Sequence, residues 1–213
     1  MWLDVLVRLR RSRSALLGGT LLAGLIAAAL AAPLLTPYEP LTMNPVDRLQ
    51  PPNARHIFGT DVFGRDLATR MLFGSRISLQ TGLISVSIAI LIGVPMGLAS
   101  GFYGGQADRL LMRVVDLMLT FPGILLALII IAILGPNLRN AMLAVGISAS
   151  PTYARVVRAA VLSAKEQVYV EAARAIGCAN IRIMVRHILP NTIAPIIVLG
   201  TLGIAGAVIA AAA

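Results

Sequence analysis

The sequence is short of charge, of cysteine and of aromatic residues. Only 13% of its 213 residues are charged, about half of the ~25% in an ordinary soluble domain, which excludes a water-soluble fold. A single cysteine, Cys178, leaves no disulfide framework and no Cys/His metal spacing; it reads as a small buried residue. Aromatic residues make up 5%, and the 18 Lys/Arg do not gather with them into one cluster, so the formal charge of +9 does not mark a nucleic-acid surface. No G-x-x-x-x-G-K-[ST] phosphate loop occurs, so nothing in the chain is built to hold nucleotide.

What is present is hydrocarbon. The uncharged runs 15–35, 77–107, 117–138 and 188–213 are each 21 residues or longer, at or above the ~20 that cross a bilayer as a helix. They are continuous and rich in Leu, Ile, Ala and Gly, unlike the alternating segments of ~10 residues in a membrane barrel. Between 140 and 162 a shorter uncharged stretch ends at Arg155 and Arg158, which can snorkel, and this gives a further span. The expectation is an all-α multi-pass membrane protein with five spans. The last run ends in alanines at 210–213, and a chain end inside hydrocarbon leaves carbonyls unsatisfied. The sequence is therefore expected to continue into a sixth span.

Arg8, Arg10, Arg11 and Arg13 precede the first run, whose 21 residues exceed the roughly 7–15 of a signal peptide. It reads as an uncleaved span with its N-terminus in the cytoplasm. Alternation then puts 36–76 outside, 104–113 inside, 135–139 outside and 155–187 inside, with 12 Lys/Arg inside and 6 outside, as the positive-inside rule asks. Spans two to five each hold a proline, Pro95, Pro122, Pro151 and Pro195, with glycines such as Gly93, Gly97 and Gly123 beside them. Kinked helices of this kind fit a bundle that moves.

Residues 163–191 carry the most information. Ser163 and Glu166 have the S-x-x-E form of a capping box, followed by good helix formers up to Ile176 and a stop at Gly177. Asn180 is placed to cap a second short helix, in which Ile181, Met184, Val185 and Ile188 form an apolar stripe ending at Pro190, with Arg182 and Arg186 on the polar face. Two amphipathic helices meeting at a glycine elbow suit docking to a partner, or lying at the lipid interface.

Glu171-Ala172-Ala173, then Gly177 after three residues, then Leu189-Pro190 twelve residues on, resemble the EAA loop of the membrane subunits of ATP-binding-cassette importers. His187 stands where the general pattern has an isoleucine. A second segment, His56-Ile57-Phe58-Gly59-Thr60-Asp61-Val62-Phe63-Gly64-Arg65-Asp66, continuing through Arg70, Gly74-Ser75-Arg76 and Ser78-Leu79, resembles the C-type permease subunit of dipeptide, oligopeptide, nickel and glutathione importers.

The resemblance implies a type I importer transmembrane fold in the cell (plasma or inner) membrane. It divides the chain into 1–76, with the tail, first span and external loop, and 77–213, the permease domain. It also implies half of a translocation pathway for peptides, with nickel or glutathione as alternative cargo. The partners would be a homologous second permease subunit, two ATPase subunits or one fused ATPase, an extracytoplasmic peptide-binding protein and the lipid bilayer, with no nucleic acid. ATP and Mg would be bound by the partner subunits and no cofactor by this chain. Glu171, Ala172, Ala173, Gly177, Leu189 and Pro190 would form the ATPase-coupling loop.

Other residues are read without the resemblance. Glu171 suits either a partner's cation or an i,i+3 pair with Arg174. Asp116, three residues after Arg113, suits an interfacial ion pair or a gate formed by Arg113 and Asp116. Ser85, Ser87, Ser148, Ser150 and Thr152 serve either a substrate or the kinks. An intramembrane serine enzyme at Gly146-Ile147-Ser148 would need a histidine on a neighbouring span, and His56 and His187 both lie off the spans. A channel would show a ring of acids or a carbonyl filter, and neither is legible. The chain is not expected to be an enzyme.

Overall fold

The structure is a computed structural model that describes residues 12–212. Arg8, Arg10 and Arg11 of the basic tail, and the last alanine of the terminal run, lie outside the described residues. The chain divides into two compact units, Met1–Leu79 and Gln80–Ala213. Its helices are α1 (Arg13–Leu35), α2 (Leu67–Tyr103), α3 (Gly105–Leu119), α4 (Gly123–Leu134), α5 (Leu138–Ala164), α6 (Val168–Ala175), a single turn α7 (Asn180–Arg182) and α8 (Leu189–Ala212). A π-helical turn, Ile183–Ile188, joins α7 to α8.

The span count differs from the sequence reading. Three stretches are long and apolar enough to cross a membrane: Arg13–Leu35, Leu67–Tyr103 and Asn180–Ala210. A fourth is reached only if α3 and α4, bent by 91° at the break between them, count as one. Five spans of six is therefore corrected to three, or at most four. The run 117–138 is not one rod because Thr120, Phe121 and Pro122 interrupt it, with Pro122 standing at the N-cap of α4. Residues 140–162 do form helix, within α5. However, Asn140, Ser148, Ser150, Pro151, Thr152 and Arg155 dilute its apolar character, and it supplies buried interior instead of a lipid-facing rod.

In the first unit, the segment between α1 and α2 is a hydrogen-bonded knot. Gly59 and Gly64 take φ of 75° and 74°, and a β-carbon on Gly64 would run into the Asn44 backbone. Asn44 N–H donates to Phe63 C=O at 3.2 Å and Leu49 N–H to Asp61 C=O at 3.1 Å. Thr60 and Asp66 form an antiparallel bridge. Asp66 Oδ2 accepts from the N–H and the hydroxyl of Thr69, both at 2.7 Å, and so caps α2. Its other oxygen lies 3.0 Å from His56 Nδ1, and His56 is buried. Asp61 holds both Arg65 and Arg70.

In the second unit the helices approach closely through small residues. A β-carbon on Gly93 would meet Ser150 C=O at 2.5 Å and Tyr153 Cβ at 2.7 Å; on Gly97, Ala154 C=O at 2.5 Å and Val157 Cβ at 2.8 Å; on Gly101, Val161 Cβ at 2.8 Å. These three glycines recur every fourth residue along α2 and let the α5 backbone lie against it, the packing that membrane helices use in place of hydrophobic drive. Below this contact sits the main core, with Val94, Leu98 and Phe102 of α2 against Val157 and Val161 of α5, Val170 and Ala173 of α6, and Ile183, Met184 and Ile188. The prolines lie within α1 (Pro33), α2 (Pro95), α5 (Pro151) and α8 (Pro195). Pro151 cannot donate to Ile147 C=O, and Ser150 Oγ does so instead at 2.8 Å.

Two outcomes follow. Gly97→Val should destabilise the detergent-solubilised protein by about 1–3 kcal/mol, whereas Gly18→Val, with nothing within 4 Å, should leave the thermal midpoint unchanged; equal midpoints would remove the glycine stripe as the organising contact. For Asp66, desolvation raises the pKa, but the hydrogen bonds from Thr69 and His56 outweigh it and hold the group below its ordinary 3.8. Asp61 is likewise lowered, its desolvation outweighed by bonds from Arg65 and Phe63. The folded knot therefore binds fewer protons than the unfolded chain. Its stabilisation is complete above about pH 4 and is lost as pH falls through the lowered values. Amide protection at Phe63, Arg65 and Thr69, corrected for intrinsic exchange, should drop below about pH 4.

Candidate functional site

The segment from Val168 to Pro190 folds onto the lower end of α2 and α5. Ser163 and Glu166 do not form the expected capping box: Ser163 lies in the last turn of α5, and α6 begins after Gln167 with no side-chain cap. Within α6, Val170 and Ala173 are buried, while Glu171 and Ala172 are exposed. Arg174 does not pair with Glu171 but lays its guanidinium over the Phe102 ring, 5.4 Å from the centroid, a contact of about 0.5–1 kcal/mol. Among the described residues no cation lies within ion-pair distance of Glu171.

Gly177 ends α6 as expected, with φ of 78°. Cys178 N–H donates to Ala173 C=O at 3.0 Å and Gly177 N–H to Arg174 C=O at 2.9 Å, the double bond pattern of a Schellman turn. A β-carbon on Gly177 would meet nothing within 4 Å; the glycine is there for its backbone conformation, and its surface is open. Cys178 is half-buried against the core.

The second half differs from the sequence reading. Asn180 is the first helical residue, with Ala179 at the cap position and no side-chain cap. The expected stripe of Ile181, Met184, Val185 and Ile188 splits: Ile183, Met184 and Ile188 are buried, whereas Ile181 and Val185 are 63% and 53% exposed. The wider turn shifts the register, and the helix continues through Pro190 into α8 instead of stopping there. Leu189 packs on the core and Pro190 is exposed. Of the six expected loop residues, Ala173 and Leu189 thus seat the segment, while Glu171, Ala172, Gly177 and Pro190 face outward.

Two exposed apolar residues of this segment were not singled out from the sequence: Val168, the first residue of α6, at 78%, and Ile176, next to the elbow, at 80%. Val168 lies two residues before Val170 and so off the buried face of the helix; Ile176, three residues after Ala173, carries no such signal.

Asp116 does not pair with Arg113; its Oδ1 accepts from Arg155 Nη2 of α5 at 2.6 Å, both side chains being more than half exposed. Arg113 is exposed. The stronger tie is one the sequence reading missed. Arg158 donates from Nε and Nη2 to the two oxygens of Asp108, each at 2.6 Å, and Ser100 Oγ donates to Asp108 as well. Fifty residues separate the two charges, and nothing local signals the pair. α3 is therefore fastened to α5 at two points.

Above these pairs, α2, α4, α5 and α8 enclose an apolar cleft of about 510 Å³ lined by residues including Ser85, Leu128, Ser148, Thr152, Tyr153 and Gly203. Three of its hydroxyls are committed to backbone, Ser85 to Met142 C=O, Ser148 to Val145 C=O and Tyr153 to Leu199 C=O, while that of Thr152 is not. Among the described residues no three His, Cys, Asp or Glu side chains gather in a way that could hold a metal ion.

Residues 93–213 match the family described as binding-protein-dependent transport system inner membrane component, more than half of the chain. The chain belongs to that family. Residues 1–52 match the N-terminal TM domain of oligopeptide transport permease C. This permease is 46% identical to a dipeptide transport system permease protein of Alkalihalophilus pseudofirmus, over 100% of this chain and 70% of that one. It is 44% identical to a putative peptide transport system permease protein of Brucella suis, over 96% and 69%, and 40% identical to a glutathione transport system permease protein of Pectobacterium atrosepticum, over 99% and 70%. In fold it is similar to a chain of the inward-facing MetNI methionine ABC transporter, with a TM-score of 0.56 and 23% identity over 66% of this chain and 70% of that one. It is a multi-pass permease subunit of an ABC importer, related to peptide and glutathione transport systems.

The two ion pairs make separable demands. Asp108→Asn, which breaks a half-buried bidentate pair, should lower stability by about 1 kcal/mol or more, whereas Asp116→Asn at an exposed pair should cost close to nothing. Thermal melting of the two variants checks this, and equal losses would show that burial does not set the ranking.

Proposed function

We propose that this permease forms one half of the translocation pathway of an ATP-driven importer of di- and oligopeptides, and that residues 163–191 couple it to the ATPase subunits. The observation that carries the reading is the elbow at Gly177. There the chain turns in open space with exposed Ile176 next to it; Glu171 on α6 is exposed with no cation at ion-pair distance among the described residues, and Val168, one turn before it, is exposed as well. An exposed acid with apolar surface near it fits a cleft on another protein that offers a basic residue. Peptide cargo is supported by the names of the relatives; glutathione, itself a tripeptide, falls in the same chemical class.

The ATPases, two subunits or one fused chain, would bind ATP and Mg. A homologous permease subunit would complete the pathway, and an extracytoplasmic binding protein would deliver the peptide. Residues 163–191 and the N-terminus would both be cytoplasmic. The group Arg155, Arg158, Lys165, Arg174, Arg182 and Arg186 supports this by the positive-inside rule. Asp116, tied to Arg155 beside exposed Arg113, stands where α3 breaks from α4, and this pair is the candidate gate.

Gly177→Asp places a side chain at φ of 78°, at a cost of roughly 1 kcal/mol, and adds a charge to a surface that docking would desolvate. The variant should insert normally but release the ATPase subunits on purification and lose peptide uptake; Gly177→Ala should lose less. Full uptake by Gly177→Asp with ATPase bound would exclude the coupling role. Labelling of a cysteine at position 165 by an impermeant reagent in intact cells would overturn the orientation.

A further inference from the structure

We infer that the π-helical turn Ile183–Ile188, held open by Pro190, sets the register in which the coupling segment is joined to α8, which makes Pro190 a positioning residue for transport; this rests on the coupling reading above. In a regular α-helix Pro190 would press its ring against the carbonyl four residues back and leave that carbonyl without its donor. Here the preceding turn closes one residue wider, with Leu189 N–H donating to Met184 C=O.

The wide turn decides which side chains face inward. Ile183 and Ile188 are both fully buried, although five residues of regular helix would set them about 140° apart. With Met184 they share one core with Leu98 and Phe102 of α2 and with Ala173 of α6. Val185, inside the same turn, is 53% exposed. The wide turn absorbs one residue and so lets the elbow and α8 rest on the same surface at once. Asn191 Nδ2 donates to His187 C=O at 2.6 Å at the exit of the turn. Closing it to a regular helix with that residue kept would rotate the elbow against α8 by about 100° and shift it by about 1.5 Å. A push received at Gly177 would then reach α8 in the wrong direction.

The test uses the assembled importer in proteoliposomes. Pro190→Ala permits a regular helix that keeps every residue and so turns the elbow against α8; deletion of Val185 in the same variant removes the one residue that the wide turn absorbs and restores the phase. Pro190→Ala should retain bound, hydrolysing ATPase but carry about tenfold less peptide per ATP, and the deletion should return most of the loss. Parent stoichiometry in Pro190→Ala overturns the proposal, as does an equal loss in both variants. Release of ATPase by Pro190→Ala also overturns it, since the segment would then act as docking surface alone. Failure of the coupling reading shows separately, as retained uptake in Gly177→Asp. If the shortened chain does not accumulate, Pro190→Ala alone decides: a severalfold fall in peptide per ATP with ATPase bound supports the proposal, and unchanged stoichiometry overturns it.

Discussion

The close approach of α2 and α5 is the contact from which the rest of the second unit is built. Lipid is as apolar as leucine, so two helices in a bilayer gain little by hiding side chains from it and must gain from packing. Gly93, Gly97 and Gly101 provide this by removing the β-carbons that would otherwise meet Ser150, Ala154 and Val161. Once the backbones are this near, Val157 and Val161 meet Leu98 and Phe102, and the same apolar surface receives Val170 and Ala173 from α6 and Ile183 and Ile188 from the wide turn. Residues 168–190 have no core of their own: their buried side chains belong to the core of the α2–α5 pair.

Much of this was legible in the sequence, and the parts that were not share a cause. The helical membrane class followed from uncharged runs, and the turn at Gly177 followed from a glycine closing a stretch of helix formers. Both are local signals. The role of 140–162 was not legible, because a helix buried by other helices and a helix facing lipid both read as uncharged; only the placement of Ser148, Ser150 and Tyr153 against neighbours separates them. The stripe through Ile181 and Val185 failed because a period of 3.6 was applied across a turn that has one residue more. Pro190 was read as a stop, although in membrane helices a widened turn can carry the chain past a proline. The pair Asp108–Arg158 joins residues fifty apart and has no local trace.

The distribution of acids bears on the partner. Between residues 80 and 213 there are four: Asp108, Asp116, Glu166 and Glu171. The first two are consumed by Arg158 and Arg155. That leaves Glu166 and Glu171 as the only acids without such a partner among the described residues of this unit, in a region otherwise rich in arginine. The contrast matters more than the count, because a lone carboxylate among cations would ordinarily be drawn into an ion pair with its own chain. Arg174, three residues from Glu171 and the obvious candidate, is turned away onto the Phe102 ring. Two features of the fold, a cation held on an aromatic ring and an elbow with nothing above it, keep Glu171 available. A basic group on a partner would meet a carboxylate that need not first be released from an internal pair, so the energy of that contact goes into binding instead of being spent on breaking one.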